Sequence, residues 1–182
     1  MGIESTPEYI QSMNMRPACD RVLCHVFGIT PDRIERFDKS GDLMILDREF
    51  AIDMRIHLMN GSQLTGQEKA LSHKFHKFRT FTMEFYQNSE TKEEGEFFKI
   101  ASQFYLSGYS DESGVEFIEW KVIDLLQFIM WLRQRGLSEL EKHTRPAGGS
   151  RASFFYIKYD EIPEEFIIDS YVKPAKQQPT LW

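Results

Sequence analysis

Residues 52–71 read IDMRIHLMNGSQLTGQEKAL, and the fold turns on how this stretch pairs with itself. Ile52, Met54, Ile56 and Leu58 alternate with Asp53, Arg55 and His57, the period of two expected of a strand with one wet face. Asn60-Gly61 is a hairpin turn signal, and Gln63 to Leu71 reads as the returning strand. The length of the turn decides which side chains meet. A two-residue turn sets Asp53 opposite Glu68, whereas a three-residue loop that draws on Ser62 slips the register by one and puts Asp53 on one face with Gln67 and Lys69. The longer loop is the expected one, with Glu68 on the opposite face.

Upstream, Cys19, Val22, Leu23, Val26 and Phe27 recur at helical spacing before Gly28 and Pro31, which predicts a short first helix; Leu43 to Leu46 (LMIL) reads as a strand. Downstream, Phe81, Met83 and Phe85 alternate with Thr82, Glu84 and Tyr86 in a fourth strand, followed by the polar loop NSETKEEGE. Phe97, Ile100, Ala101 and Phe104 form a helical stripe that Gly108 should stop. Phe117 to Leu125 reads as strand, Leu126 to Arg133 as helix ending by Gly136, TRPAGGSRAS as loop, and Phe154 to Tyr159 as a late strand. The expectation is an α+β (α/β) fold, a central mixed β-sheet flanked by helices, in a single domain over 1–182 with loose termini at 1–15 and 173–182.

A chain of 182 residues, 41% apolar and with 15 Phe, can bury a core, so wholesale disorder is excluded. No stretch approaches the roughly 18 to 20 apolar residues of a membrane span. The opening MGIESTPEYIQ lacks a secretory layout, so a cytoplasmic location without membrane is expected. Cys19 and Cys24 are too few for a disulfide framework and lack zinc spacing. With 22 basic against 28 acidic residues the formal charge is −6, which argues against coating nucleic acid over a whole surface but allows one local basic patch.

Asp53 on one strand and Gln67-Glu68-Lys69 on the next suggest phosphodiester hydrolysis. A hard divalent ion takes carboxylate and carbonyl oxygens and activates water, while a nearby lysine orients that water or offsets charge growing on the phosphate. On these residues the chain resembles the PD-(D/E)xK nuclease superfamily, the restriction-endonuclease-like fold of resolvases and many phage and repair nucleases. The resemblance covers roughly Asp20 to Tyr109. It implies a metal-dependent endonuclease or exonuclease acting on DNA, with Mg²⁺ or Mn²⁺ as cofactor and possible homodimers. Asp53, Gln67 and Lys69 would be catalytic, and Asp53, Gln67, Asp20 and Glu68 the metal ligands. Gln67 stands where the family usually has an acid, and Ile52 where it often has proline; an amide oxygen still ligates a hard cation but brings no charge.

His73, Lys74, His76, Lys77 and Arg79 follow Lys69 as a basic cluster, expected to contact nucleic-acid phosphates, with Arg133, Arg135, Arg145 and Arg151 as further candidates. Lys99 and Gln103, placed a helical turn apart, could reach the site. The plain alternatives are a wet strand residue for Asp53 and Glu84, a first-turn carboxylate for Asp20, and core packing for Tyr105, Tyr109, Trp120 and Trp131. At the level of function the alternative is a nuclease-fold module, weak or inactive in catalysis, that binds nucleic acid or a partner protein.

Overall fold

A computed structural model describes residues 7–37, 44–146 and 151–174. The described residues open with α1 (Pro7–Phe27), β1 (Ile34–Arg36), α2 (Met44–Phe50) and the hairpin β2 (Met54–His57) and β3 (Gln63–Leu71). A 3-10 turn over His73–Phe78 leads to β4 (Thr80–Asn88), β5 (Glu93–Glu94) and the short α3 (Glu96–Lys99). Then come β6 (Phe104–Ser110), β7 (Phe117–Asp124), α4 (Leu125–Arg133), α5 (Leu137–Glu141), β8 (Thr144–Pro146), β9 (Ser153–Lys158) and β10 (Ile167–Val172).

The fold is α+β, with a mixed six-stranded sheet ordered β1-β2-β3-β6-β7-β10 and a four-stranded sheet ordered β5-β4-β9-β8. In the larger sheet only β3 and β6 run parallel, because the chain between them makes a crossover that carries β4, β5 and α3. One face packs on α1 through Met15, Cys19 and Leu23 against Met54, Ile56, Leu106 and Val122. The other face packs Tyr105, Tyr109 and Ile123 against Phe81, Phe85 and Phe155 of the smaller sheet and Phe128 of α4. Gly66 on β3 is dictated by packing, since a Cβ there would lie 2.1 Å from the Phe104 ring.

Several sequence expectations need correction. Residues 7–15, expected to be loose, belong to α1, because Met15 is wholly buried and ties this end to the core; residues 1–6 and 175–182 lie outside the described residues. At the other end, the Lys173 N–H donates to the Ile118 carbonyl at 2.7 Å. The LMIL strand is absent from its described part: Met44 to Leu46 open α2, and the Ile52 N–H closes on the Leu46 carbonyl before β2. The stripe from Phe97 to Phe104 is a single helical turn followed by strand, since β6 is buried along its whole length and so lacks alternation. Gln103 therefore leaves the helix, and its backbone N–H donates to the Thr65 carbonyl at 2.8 Å. The fourth strand joins the second sheet, and β1, α5, β8 and β10 are additions to the expected elements. Among the described residues no helix is long and apolar enough to cross a membrane.

Candidate functional site

The hairpin takes a three-residue loop, as expected, but the loop gains Met59 and not Ser62, which pairs with Leu58. The Leu58 N–H donates to the Ser62 carbonyl at 2.9 Å, closing three residues, Met59, Asn60 and Gly61, with Gly61 at φ 87°. The Asn60 Oδ1 accepts the Ser62 N–H at 3.0 Å and fixes the loop. Met54 then pairs with Gly66, and Asp53, one step before, lies level with Gln67. The Asp53 N–H donates to the Gly66 carbonyl at 3.0 Å, and its Oδ2 accepts the Glu68 N–H at 2.9 Å. The carboxylate thus takes the place of a ladder partner just before β2 begins.

Alternation along β3 sends Gln67 and Lys69 to the face of Tyr105 and Ser107, their partners on the parallel neighbour. Gln67 is 4% exposed, and among the described residues its Oε1 has no hydrogen-bond partner, a costly state for a buried amide. Lys69 is half-buried, and its ammonium lies 4.9 Å from the centre of the Phe154 ring. Phe154 is the cross-strand partner of Glu84 in the second sheet, so the two sheets meet at this lysine. Burial pushes the Lys69 pKa down against the pull of Glu96, Glu84 and Asp53. The Glu84 carboxyl is pushed up, first by burial and then by Glu96, against Lys69 and Lys99. Gly95 lets these acids approach: a Cβ there would come within 2.9 Å of Glu84 Cγ.

Asp20 and Glu68 lie elsewhere. Glu68 points to the α1 face, where Arg36 donates to it at 2.7 Å and to Asp20 at 2.8 Å. Asp53, Gln67 and Lys69 are therefore brought together, while the two other expected ligands are held by a guanidinium on the opposite side of the sheet.

The basic cluster is divided. His76 meets the Glu119 carboxylate at 2.8 Å, and Arg79 donates to it through Nε and Nη2 while also reaching Asp160 at 3.1 Å. Glu119 has a fully buried side chain; burial raises its pKa, yet Arg79 and His76 outweigh that and hold it low. His76 and Arg79 are thus spent on an internal charge instead of facing phosphates. Lys77 covers the Phe78 ring at 5.0 Å. His73 and Lys74 border a groove with Gln11 and Asn14 of α1 and Asp111. Of the arginines, Arg133 donates to the Phe97 carbonyl at 3.0 Å and Arg135 stacks on Trp131 at 3.9 Å.

The sequence offered Glu84 as a further ligand but favoured a wet strand residue, and it gave no sign of Glu96 or Phe154. Alternation in β4 marked Glu84, but only the crossover brings it and Glu96 to Lys69. Among the described residues no three His, Cys, Asp or Glu side chains form a ready cation cage. Asp53, Glu84 and Glu96 lie close enough to Lys69 to act on its charge without assembling into such a cage, and they and the Gln67 amide are hard oxygen donors. Mg²⁺ binds through one or two carboxylates, retained waters and substrate phosphate, so the donor types near Lys69 are of the kind such an ion takes and not those of a zinc site.

No family model, curated protein or solved structure matches this chain.

Proposed function

We propose that this protein is a divalent-cation-dependent nuclease that hydrolyses phosphodiester bonds, with DNA as the first substrate class to test. The observation that supports it is the common face of Asp53, Gln67 and Lys69, with the Gln67 Oε1 buried and without a partner. Asp53 and Gln67 would hold Mg²⁺ or Mn²⁺, and Glu84 or Glu96 would supply the negative charge that an amide lacks. When bound, the ion polarises water and neutralises phosphate charge. The bond from the Glu68 N–H orients the Asp53 carboxylate. Lys69, seated on Phe154, offers N–H donors that orient the attacking water and offset charge on the transferring phosphate.

Incubation of supercoiled plasmid and of end-labelled linear DNA with Mg²⁺, Mn²⁺ or EDTA tests the proposal and separates internal from terminal cleavage. Cation-dependent cleavage lost in both Asp53→Asn and Lys69→Ala is the expected result. Equal cleavage by wild type and both variants would discredit the assignment, and binding without cleavage would favour a nucleic-acid-binding module.

A further inference from the structure

The strands that bring Phe154 under Lys69 continue into a second exposed feature. Along β9, Ser153, Phe155 and Ile157 are buried, while Phe154 and Tyr156 are half-buried and Lys158 is exposed on the outer face. Register puts Glu84 and Thr82 of β4 opposite Phe154 and Tyr156, and Arg145 of β8 opposite Phe154 on the other side. The exposed Arg145 guanidinium stacks over the Tyr156 ring at 4.6 Å. The Lys69 ammonium sits over Phe154 at 4.9 Å. Among the described residues neither Arg145 nor Lys158 is salt-bridged to a carboxylate, unlike His76 and Arg79, which Glu119 holds.

Resting on the nuclease reading, we propose that the outer face formed by Arg145, Tyr156 and Lys158 is the platform for a nucleic-acid strand with unpaired bases, leading over Phe154 to Lys69. Charge complementarity and ring chemistry select this occupant. In a chain of formal charge −6, two unspent cations flank an aromatic ring beside the candidate site. Phosphates meet Arg145 and Lys158, and a base stacks on Tyr156 or on the guanidinium plane that extends it. Same-face residues on a strand repeat at roughly 6.6 Å, so Phe154, Tyr156 and Lys158 present successive contacts along one direction. A duplex hides its base faces and can use only the cations, so single strands or frayed ends bind better.

Fluorescence anisotropy in EDTA, where the nuclease reading forbids cleavage, tests the platform with labelled 20-nucleotide single-stranded DNA and RNA and a duplex of the same length. The expected result is single-strand binding that weakens about tenfold in Tyr156→Ala, in line with the loss of one stacked base, and is kept by Tyr156→Phe. In the Arg145→Ala and Lys158→Ala double variant the logarithmic salt slope should fall by about 1.4, the change for two lost single-strand phosphate contacts. Lys142→Ala, which removes a lysine at the C-cap of α5 that is paired with Glu139, should bind as wild type. Wild type that binds none of the probes, or variants that bind as wild type, overturns the platform even if Asp53- and Lys69-dependent cleavage is seen. Platform-dependent binding without cleavage in Mg²⁺ or Mn²⁺ upholds the platform and defeats the nuclease reading.

Discussion

Strand β3 carries a carboxylate toward α1 and an ammonium toward the second sheet, and the two faces treat charge differently. Toward α1, Glu68 and Arg36 have side chains only 10% and 12% exposed, and Arg36 binds both Glu68 and Asp20. This is a structural ion cluster in which hydrogen bonds absorb the buried charge. On the other face Lys69 is surrounded by the pull of Glu96, Glu84 and Asp53, and the Gln67 oxygen has no partner. The contrast teaches that acids near a cation do not by themselves mark a site. What distinguishes the second face is unmet hydrogen-bonding and charge demand, which a substrate or ion can satisfy. Glu119, closed off by Arg79 and His76, belongs with the first kind.

The comparison breaks most sharply at Lys69. Replacing it with alanine is expected to lower cation-dependent cleavage by about a thousandfold, whereas Asp20→Asn leaves the rate near that of wild type. Initial rates on plasmid read both, and a large loss in Asp20→Asn would join the two faces into one site. Stability should show the reverse order. Arg36→Ala leaves Glu68 and Asp20 without their cation and should cost roughly 3 kcal/mol in urea unfolding, while Lys69→Met costs less because burial already disfavours that ammonium.

A finer test adds charge to the open face. Gln67→Glu should tighten Mn²⁺ binding about tenfold by titration calorimetry, since added ligand charge raises affinity for hard cations. The same variant should melt at lower temperature in EDTA, because a further buried carboxylate then lacks compensation. Unchanged Mn²⁺ affinity would remove Gln67 from the proposed ligands.

The smallest effect concerns pH. The Glu84 pKa is raised in the folded state above its ordinary 4.5, by burial and then Glu96. Its contribution to stability is therefore fully present below pH 4.5 and is lost as pH rises through the elevated folded value. Glu84→Gln should accordingly melt higher than wild type at pH 7 in the absence of cation, with the difference vanishing at pH 4. A difference that persists at pH 4 would trace to packing instead of titration.

Much of the candidate site's geometry was legible because it is local. The 52–71 stretch carries its own strand period and its own turn residues, and Asn60 accepts the Ser62 N–H within the turn. Other parts misled for equally physical reasons. The fully buried β6 offers no alternation, so its residues joined the Phe97 turn in an apparent helix. The run HKFHKFR looks like a solvated basic patch, and nothing nearby in sequence announces that the buried carboxylate of Glu119 claims two of its cations.

By itself the sequence determined the hairpin and narrowed its register to two choices, one of which puts Asp53, Gln67 and Lys69 on a common face, because period and turn chemistry act over neighbouring residues. Tertiary structure alone decided that Arg36 closes one face, that Glu84, Glu96 and Phe154 gather on the other, and that Arg145 and Tyr156 lie beside them. These are meetings of residues far apart in the chain. They are set by the parallel β3–β6 crossover and by burial on both sides of one sheet, which no local pattern encodes.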